Sequence, residues 1–183
     1  MHIIYTTNSL KFIDTSRIKL YKWNNKIIFI EILKNSNLNS KKSKETVKKL
    51  IARHLQKNYL YLPFNFKNDN SEFKKEIIEI ELYLERKIKE FSFDYLLIGS
   101  LFQKKVWNSL RKIHYGTTKS YSDIAHQIKT PKSSRAVGNA CGQNHLPILI
   151  PCHRVIKANN TPGGFSLGGK IKNALLALEN IVL

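Results

Sequence analysis

Pro147-Ile148-Leu149-Ile150-Pro151-Cys152-His153-Arg154-Val155-Ile156 is the stretch from which the rest of the chain can be read. Three apolar residues lead into a cysteine, and a histidine follows at once. An apolar run of this kind is buried, so it carries the sulfur to the floor of something rather than to the open surface. Pro147 and Pro151 stiffen the segment, and Pro151 biases Ile150 to an extended conformation. The expected shape is a short rigid rod. A thiol so placed reacts only with a small group delivered into a pocket. Free cysteine usually acts as a small buried hydrophobe, so the neighbours decide. His153 offers a proton acceptor, Asn144 an amide to fix the segment, and Glu179 a carboxylate to orient the imidazole.

With these residues in view, Ile150–Val155 resembles the active-site signature of the O6-alkylguanine-DNA alkyltransferases, also called methylated-DNA–protein-cysteine methyltransferases. The resemblance runs from about Leu101 to Glu179. It passes through Phe102-Gln103, Val106-Trp107, Gly116, Ser120-Tyr121, Ile124-Ala125, Arg135-Ala136-Val137-Gly138, Asn144 and Leu175-Leu176. It implies displacement at the alkyl carbon on O6 of a damaged guanine (O4-alkylthymine being a second substrate), with Cys152 as acceptor and no cofactor. A thioether resists hydrolysis by ordinary side chains, so each molecule is expected to react once. An ordinary thiol, with a pKa near 8.5, is only about 3% thiolate at neutral pH. The resemblance implies that a His153–Glu179 relay, acting through a bound water, raises that fraction.

The target oxygen lies inside the duplex, so the nucleotide must rotate out, at a cost of a few kcal/mol. The resemblance assigns Arg135 to the vacated stack. Tyr121 pushes the adjoining phosphate or donates its hydroxyl to the base. Asn144 is the hinge between recognition helix and active segment. By themselves, Tyr121 would read as a core tyrosine, Arg135 as a solvated helix residue and Asn144 as a turn former. Ser134, Ala136 and Gly138 accompany Arg135 as DNA contacts. Pro147, Val155, Phe165 and Ser166 are the candidate pocket lining. The chain departs from the usual family pattern at His145, Phe165 and Leu167, which bears on tolerance for bulky adducts. Cys141 is unassigned and expected to be structural.

The chain has 183 residues, enough for one ordinary domain or two small ones. Hydrophobic residues make up 42%, which argues against general disorder. No run of about 18 apolar residues suggests a transmembrane helix, and the N-terminus lacks the pattern of a signal peptide. Two cysteines make no disulfide framework, so a reducing compartment is expected, the cytoplasm or a nucleus. The net charge of +18 favours a polyanionic partner. Richness in Lys, Asn and Ile together also fits a compositional bias, so charge alone does not decide.

Residues 1–95 read as an N-terminal α/β domain, and the resemblance implies a ribonuclease-H-like fold for it. Ile18–Trp23 alternates and pairs with Ile27–Leu33 across an Asn24-Asn25-Lys26 turn, while His2–Tyr5 is placed as an edge strand. Residues 34–44 read as a loop. Val47, Leu50, Ile51 and Leu55 mark a helix, with His54 as a packed core histidine. Residues 59–66 read as extended and aromatic. A second helix is expected to run from Phe73 to Phe91.

Residues 96–183 read as a mostly helical DNA-binding and alkyltransferase domain, giving an α+β fold overall. Ser100 and Ser120 are candidate caps, and Ser133 or Ser134 starts the second helix of a helix-turn-helix. In that helix Ala136, Gly138, Ala140 and Gly142 alternate, so it can approach a surface closely. This suits a minor groove better than base reading in the major groove. A loop from Lys157 to Gly169 can wall a pocket. Ile171, Leu175, Leu178 and Val182 are expected on the buried face of a final helix carrying Glu179.

Three rivals stand beside this reading. A non-catalytic sensor of alkylated DNA would lack the reactive cysteine, which is present. A Cys-His hydrolase would need an oxyanion hole and would leave the helix-turn-helix without a role. A zinc site is not expected, since adjacent Cys152 and His153 do not match structural spacings and no cysteine precedes Cys141. The expected partner is double-stranded DNA bearing O6-alkylguanine, and the expected state a monomer.

Overall fold

The computed structural model describes residues 1–6, 17–33, 40–57, 60 and 62–183. These divide into two compact units, Met1–Gly99 and Ser100–Leu183.

In the first unit, β1 (His2–Tyr5), β2 (Arg17–Trp23), β3 (Lys26–Leu33) and β4 (Asn65–Asn68) form one sheet in the order β3-β2-β1-β4. β2 and β3 make the expected hairpin. Its two asparagines, Asn24 and Asn25, take φ of 49° and 57°, as a tight two-residue turn demands. β1 is not at the edge. It lies inside the sheet, antiparallel to β2 and parallel to β4, because residues 65–68 return to cover its open side.

Helix α1 (Ser40–Leu55) packs Val47, Leu50 and Ile51 against Ile3, Tyr21, Trp23 and Ile28. It therefore begins within the stretch expected as a loop, and residues 34–39 lie outside the described residues. So do Tyr59 and Tyr61 of the expected aromatic segment. His54 is exposed rather than in the core, with its ring edge-on to Trp23 at 5.7 Å.

Helix α2 (Lys74–Leu84) stops well short of Phe91. Arg86 takes φ 62°, which ends the helix, and Phe91 returns to meet the rings of Tyr83 and Phe93 at 5.2 and 5.5 Å. Residues 96–99 go with this unit, since Leu96 donates its N–H to Ile27 O at 2.9 Å and Ile98 is buried in the same core.

The second unit is mostly helical. α3 (Leu101–Leu110) is held at its start by a capping box in which Ser100 and Gln103 satisfy each other's backbone. β5 (Lys119–Ser120) leads into α4 (Tyr121–Gln127), capped in the same manner by Ser120 and Asp123. After a turn with Lys129 at φ 61°, α5 (Ser134–Gly142) completes the helix-turn-helix. Val137, Ala140 and Cys141 face the core, and Trp107 Nε1 donates to Ala140 O at 2.9 Å. β6 (Val155–Ile156) pairs parallel to β5, and α6 (Gly169–Leu178) follows.

Two expectations fail in instructive ways. The Pro147–Ile150 segment is a tight turn, not a rod: Ile148 sits at φ 76°, and Ile150 N–H closes on Leu146 O at 2.9 Å. For a β-branched residue that conformation costs about 1–3 kcal/mol and persists only where the surroundings impose it. Helix α6 ends before Glu179, leaving Val182 94% exposed. Asn180 at φ 59° and the bonds Ile181 N–H to Leu176 O and Asn180 N–H to Ala177 O form a Schellman stop. Among the described residues no helix is long and apolar enough to cross a membrane.

Candidate active site

Cys152 opens a single 3-10 turn, Cys152–Arg154, and is 3% exposed. Its Sγ receives a hydrogen bond from Asn144 Nδ2 at 3.0 Å. The same nitrogen donates to Ile150 O at 2.9 Å, and Asn144 Oδ1 accepts from Leu146 N–H at 3.0 Å. One side chain therefore holds both ends of the strained turn and touches the sulfur. The expected hinge residue is also the sulfur's hydrogen-bond donor, which the sequence reading did not foresee.

Burial pushes the Cys152 thiol up to about 11. Asn144, the Lys172 ammonium and the amides of Cys152 and His153 all pull the other way. The anionic sulfur thus has donors to receive it, while burial by itself favours the protonated thiol. Cys141 lies in α5 and burial, then the neighbouring Cys152, push its thiol still higher against the pull of Lys172.

His153 is fully buried and its Nε2 meets Glu179 Oε1 at 2.8 Å. A carboxylate there fixes the proton on Nε2 and leaves Nδ1 as the basic atom. Nδ1 has no hydrogen-bond partner among the described residues. Burial holds the imidazole below its ordinary pKa against the opposing pull of Glu179, so it rests neutral and ready to accept.

Glu179 carries more than the expected pairing. Arg154 Nε donates to Oε2 at 2.8 Å, Arg154 Nη2 to Oε1 at 2.9 Å, and Gly116 N–H to Oε2 at 3.1 Å. Arg154 Nη1 bonds Ile113 O at 2.7 Å. Arg154 stood in the motif without an assigned task; the structure makes it the counter-charge that holds the Glu179 carboxylate in place. Lys172 was missed altogether. It is fully buried, donates to Val155 O at 2.6 Å and to Pro162 O, and burial lowers its pKa to about 8. A lysine between Ile171 and the apolar pair Leu175-Leu176 was the available signal.

Tyr121, half-buried at the start of α4, lays its ring over Gly163, and its hydroxyl donates weakly to Gly164 O at 3.4 Å. Burial, then the two thiols, push its pKa up to about 12. Loop 157–169 is thus held by Tyr121 on one side and Lys172 on the other. In it Phe165 is half-buried and Ser166 exposed, while Pro147 and Val155 are buried beside the cysteine segment. Arg135 and Ala136 are exposed at the start of α5, with Ser134 and Gly138 partly so; a Cβ on Gly138 would meet the Tyr121 ring at 3.7 Å. His145 is buried, edge-on to Trp107 at 5.1 Å.

Residues 101–181 match the family described as 6-O-methylguanine DNA methyltransferase, DNA binding domain. The methylated-DNA–protein-cysteine methyltransferase of Methanosarcina acetivorans is 45% identical over 112 residues, 61% of this chain and 72% of that protein. The chain belongs to the methylated-DNA–protein-cysteine methyltransferases. The inducible member from Bacillus subtilis is 46% identical over 111 residues, 61% of this chain and 62% of its own length. A crystal structure of Mycobacterium tuberculosis OGT in complex with DNA superposes with a TM-score of 0.75 at 28% identity, covering 96% of this chain and 92% of that one. The mixed α/β architecture of the family therefore extends over both units.

Proposed function

We propose that this methyltransferase repairs DNA by direct reversal, moving a methyl or other alkyl group from O6 of guanine to Cys152 in a single turnover. O4-alkylthymine is a second candidate substrate. The observation that carries the proposal is the arrangement around Sγ: a buried thiol bonded by Asn144, beside a neutral His153 whose proton is fixed by Glu179. Family membership supports the same chemistry.

In this reading, Sγ gives its proton to His153 Nδ1, directly or over a water. The S–C bond forms as the C–O6 bond breaks, and the proton returns to the leaving base. The electron pair of the C–O bond ends on guanine, which is restored. The Tyr121 hydroxyl donates to the base as charge gathers on it. Asn144, Lys172 and the turn amides offset the cost of an anionic sulfur in a buried place. Pro147, Val155, Phe165 and Ser166 frame the base.

A thiol 3% exposed cannot meet a base inside a duplex, so the nucleotide turns out of the stack. Arg135, exposed at the start of α5, fills the gap, while Ser134, Ala136 and Gly138 let that helix approach the minor groove. A DNA complex of a related structure supports a DNA partner. We read the chain as a monomer working in the cytoplasm, or in a nucleus if its source has one, with domains at 1–99 and 100–183, a boundary four residues later than the sequence suggests. A ribonuclease-H-like N-terminal domain is supported by three antiparallel strands extended by the parallel β4.

The test is stoichiometric. Excess duplex carrying O6-[methyl-labelled]guanine should label the protein to a plateau of one methyl per chain. Continued release of methylated product beyond one equivalent, or no labelling, would reject the proposal.

A further inference from the structure

The second unit already accounts for DNA contact through its helix-turn-helix, but the charge of the chain is not confined there. Helix α1 of the first unit carries Lys41, Lys42, Lys44, Lys48, Lys49 and Arg53 against one acid, Glu45. Around α2 the signs are mixed instead, with Glu72, Glu76, Glu79, Glu81 and Glu85 set among Lys74, Lys75, Arg86, Lys87 and Lys89. A general bias toward lysine does not by itself give six cations against one acid on one helix while the next helix region is balanced.

The cations of α1 fall into two groups. Lys44 and Lys48 lean inward over aromatic rings, Lys44 at 4.9 Å from Tyr5 and Lys48 at 5.9 Å from Phe64. Lys42, Lys49 and Arg53 are exposed. At about 100° per residue they lie within roughly 40° of one another on the helix, opposite Val47 and Ile51. Glu45 lies 3.9 Å from Lys49, and Lys42 and Arg53 form no ion pair among the described residues. The first turn holds no acid, although the positive end of the helix dipole disfavours Lys41 and Lys42 there. Like charges spaced along one exposed face, the first of them set against the helix dipole, have the character of a surface for an external anion.

We propose that the Lys42–Lys49–Arg53 stripe of α1 is a second DNA-contacting surface, holding the phosphate backbone of duplex DNA without reading its sequence. Long, exposed, flexible cations on one helix face suit phosphates rather than base edges. The inference rests on DNA being the partner, as proposed above.

The experiment compares wild type with Lys42→Gln/Lys49→Gln/Arg53→Gln on undamaged duplex between 50 and 200 mM salt, by fluorescence anisotropy. Each phosphate contact contributes about 0.9 to the slope of log K against log salt, so the slope should fall by up to about 2.7. Lowering salt from 200 to 50 mM should then tighten wild-type binding roughly 40-fold more than that of the variant. Transfer from the free base O6-methylguanine, which carries no phosphate, should be unchanged and shows that the variant is folded. If the triple variant does not fold, Lys42→Gln alone, which relieves an unfavourable dipole contact, should lower the slope by about 0.9. Equal slopes for wild type and folded variant would overturn the inference and leave DNA repair standing. Absence of wild-type binding to any duplex would overturn both.

Discussion

Replacing Glu179 by Gln probes the joint between fold and chemistry. The carboxylate is 2% exposed and receives donors from three residues: His153 Nε2, Arg154 Nε and Nη2, and Gly116 N–H. An amide cannot satisfy them in either orientation. With nitrogen in place of Oε2 it faces Arg154 Nε–H and Gly116 N–H; in place of Oε1 it faces His153 and Arg154 Nη2. Arg154 is also left as a buried charge without its counter-ion, a loss of about 3–5 kcal/mol. At a urea m-value of about 2 kcal/mol/M, the midpoint should fall by roughly 1.5–2.5 M. Arg154→Met alone should cost a similar amount by stranding the carboxylate. The double variant, with neither charge, should recover at least half of the summed loss, because a buried pair replaced on both sides is often near neutral. In the double variant the amide oxygen that replaces the carboxylate can still accept from His153 Nε2–H. Urea denaturation of the four proteins measures this cycle. A single-variant loss below about 1 kcal/mol, or strictly additive losses, would refute the view that Arg154 and Glu179 act as one buried unit.

Other expectations follow from the same geometry. Because the Cys152 thiol is pushed up to about 11, its alkylation by iodoacetamide should rise about tenfold per pH unit from 7 to 10, where an ordinary thiol levels off above about 8.5; a plateau near 8.5 by mass spectrometry would contradict it. His153 titrates below its ordinary range, so the stability that its neutral form contributes is present above about pH 6.5 and lost as pH falls further. Thermal unfolding between pH 7 and 5 should show that loss, and His153→Gln should reduce it. Gly163→Ala places a Cβ 3.2 Å from Tyr121 Oη at φ +71°, and should cost about 1–2 kcal/mol and slow single-turnover transfer by displacing the ring. Lys172→Met removes a cation that favours the thiolate and leaves Val155 O and Pro162 O unbonded; alkylation of Cys152 at fixed pH should slow, with about 1–3 kcal/mol lost per stranded carbonyl.

What could be read from the chain was local. Ser100 with Gln103 and Ser120 with Asp123 announce helix starts at the right spacing, and both capping boxes form. The Asn24-Asn25 pair announces a hairpin because asparagine tolerates positive φ. The cysteine, histidine, asparagine and glutamate were visible as residue types that suit one another. Less was visible where distant segments decide. No local signal tells β1 that residues 65–68 will cover it. Ile148 is a poor residue for φ 76°, and the bonds from Asn144 Nδ2 to Ile150 O and from Ile150 N–H to Leu146 O explain it. Lys172 escaped notice because lysine is read as a surface residue, whereas two carbonyls and the nearby thiol give this one a buried place. Asn180 at the end of α6, which turns Glu179 inward, reads in sequence as an ordinary polar residue.

The acceptor can be located by mixing equimolar protein with duplex DNA containing O6-methylguanine and measuring intact mass, then the mass of the peptide bearing Cys152, beside Cys152→Ala. A gain of one methyl group on that peptide, absent from the variant and never exceeding one per chain, is the predicted result. A methyl group on Cys141 or elsewhere, or an equal gain in Cys152→Ala, would contradict the account.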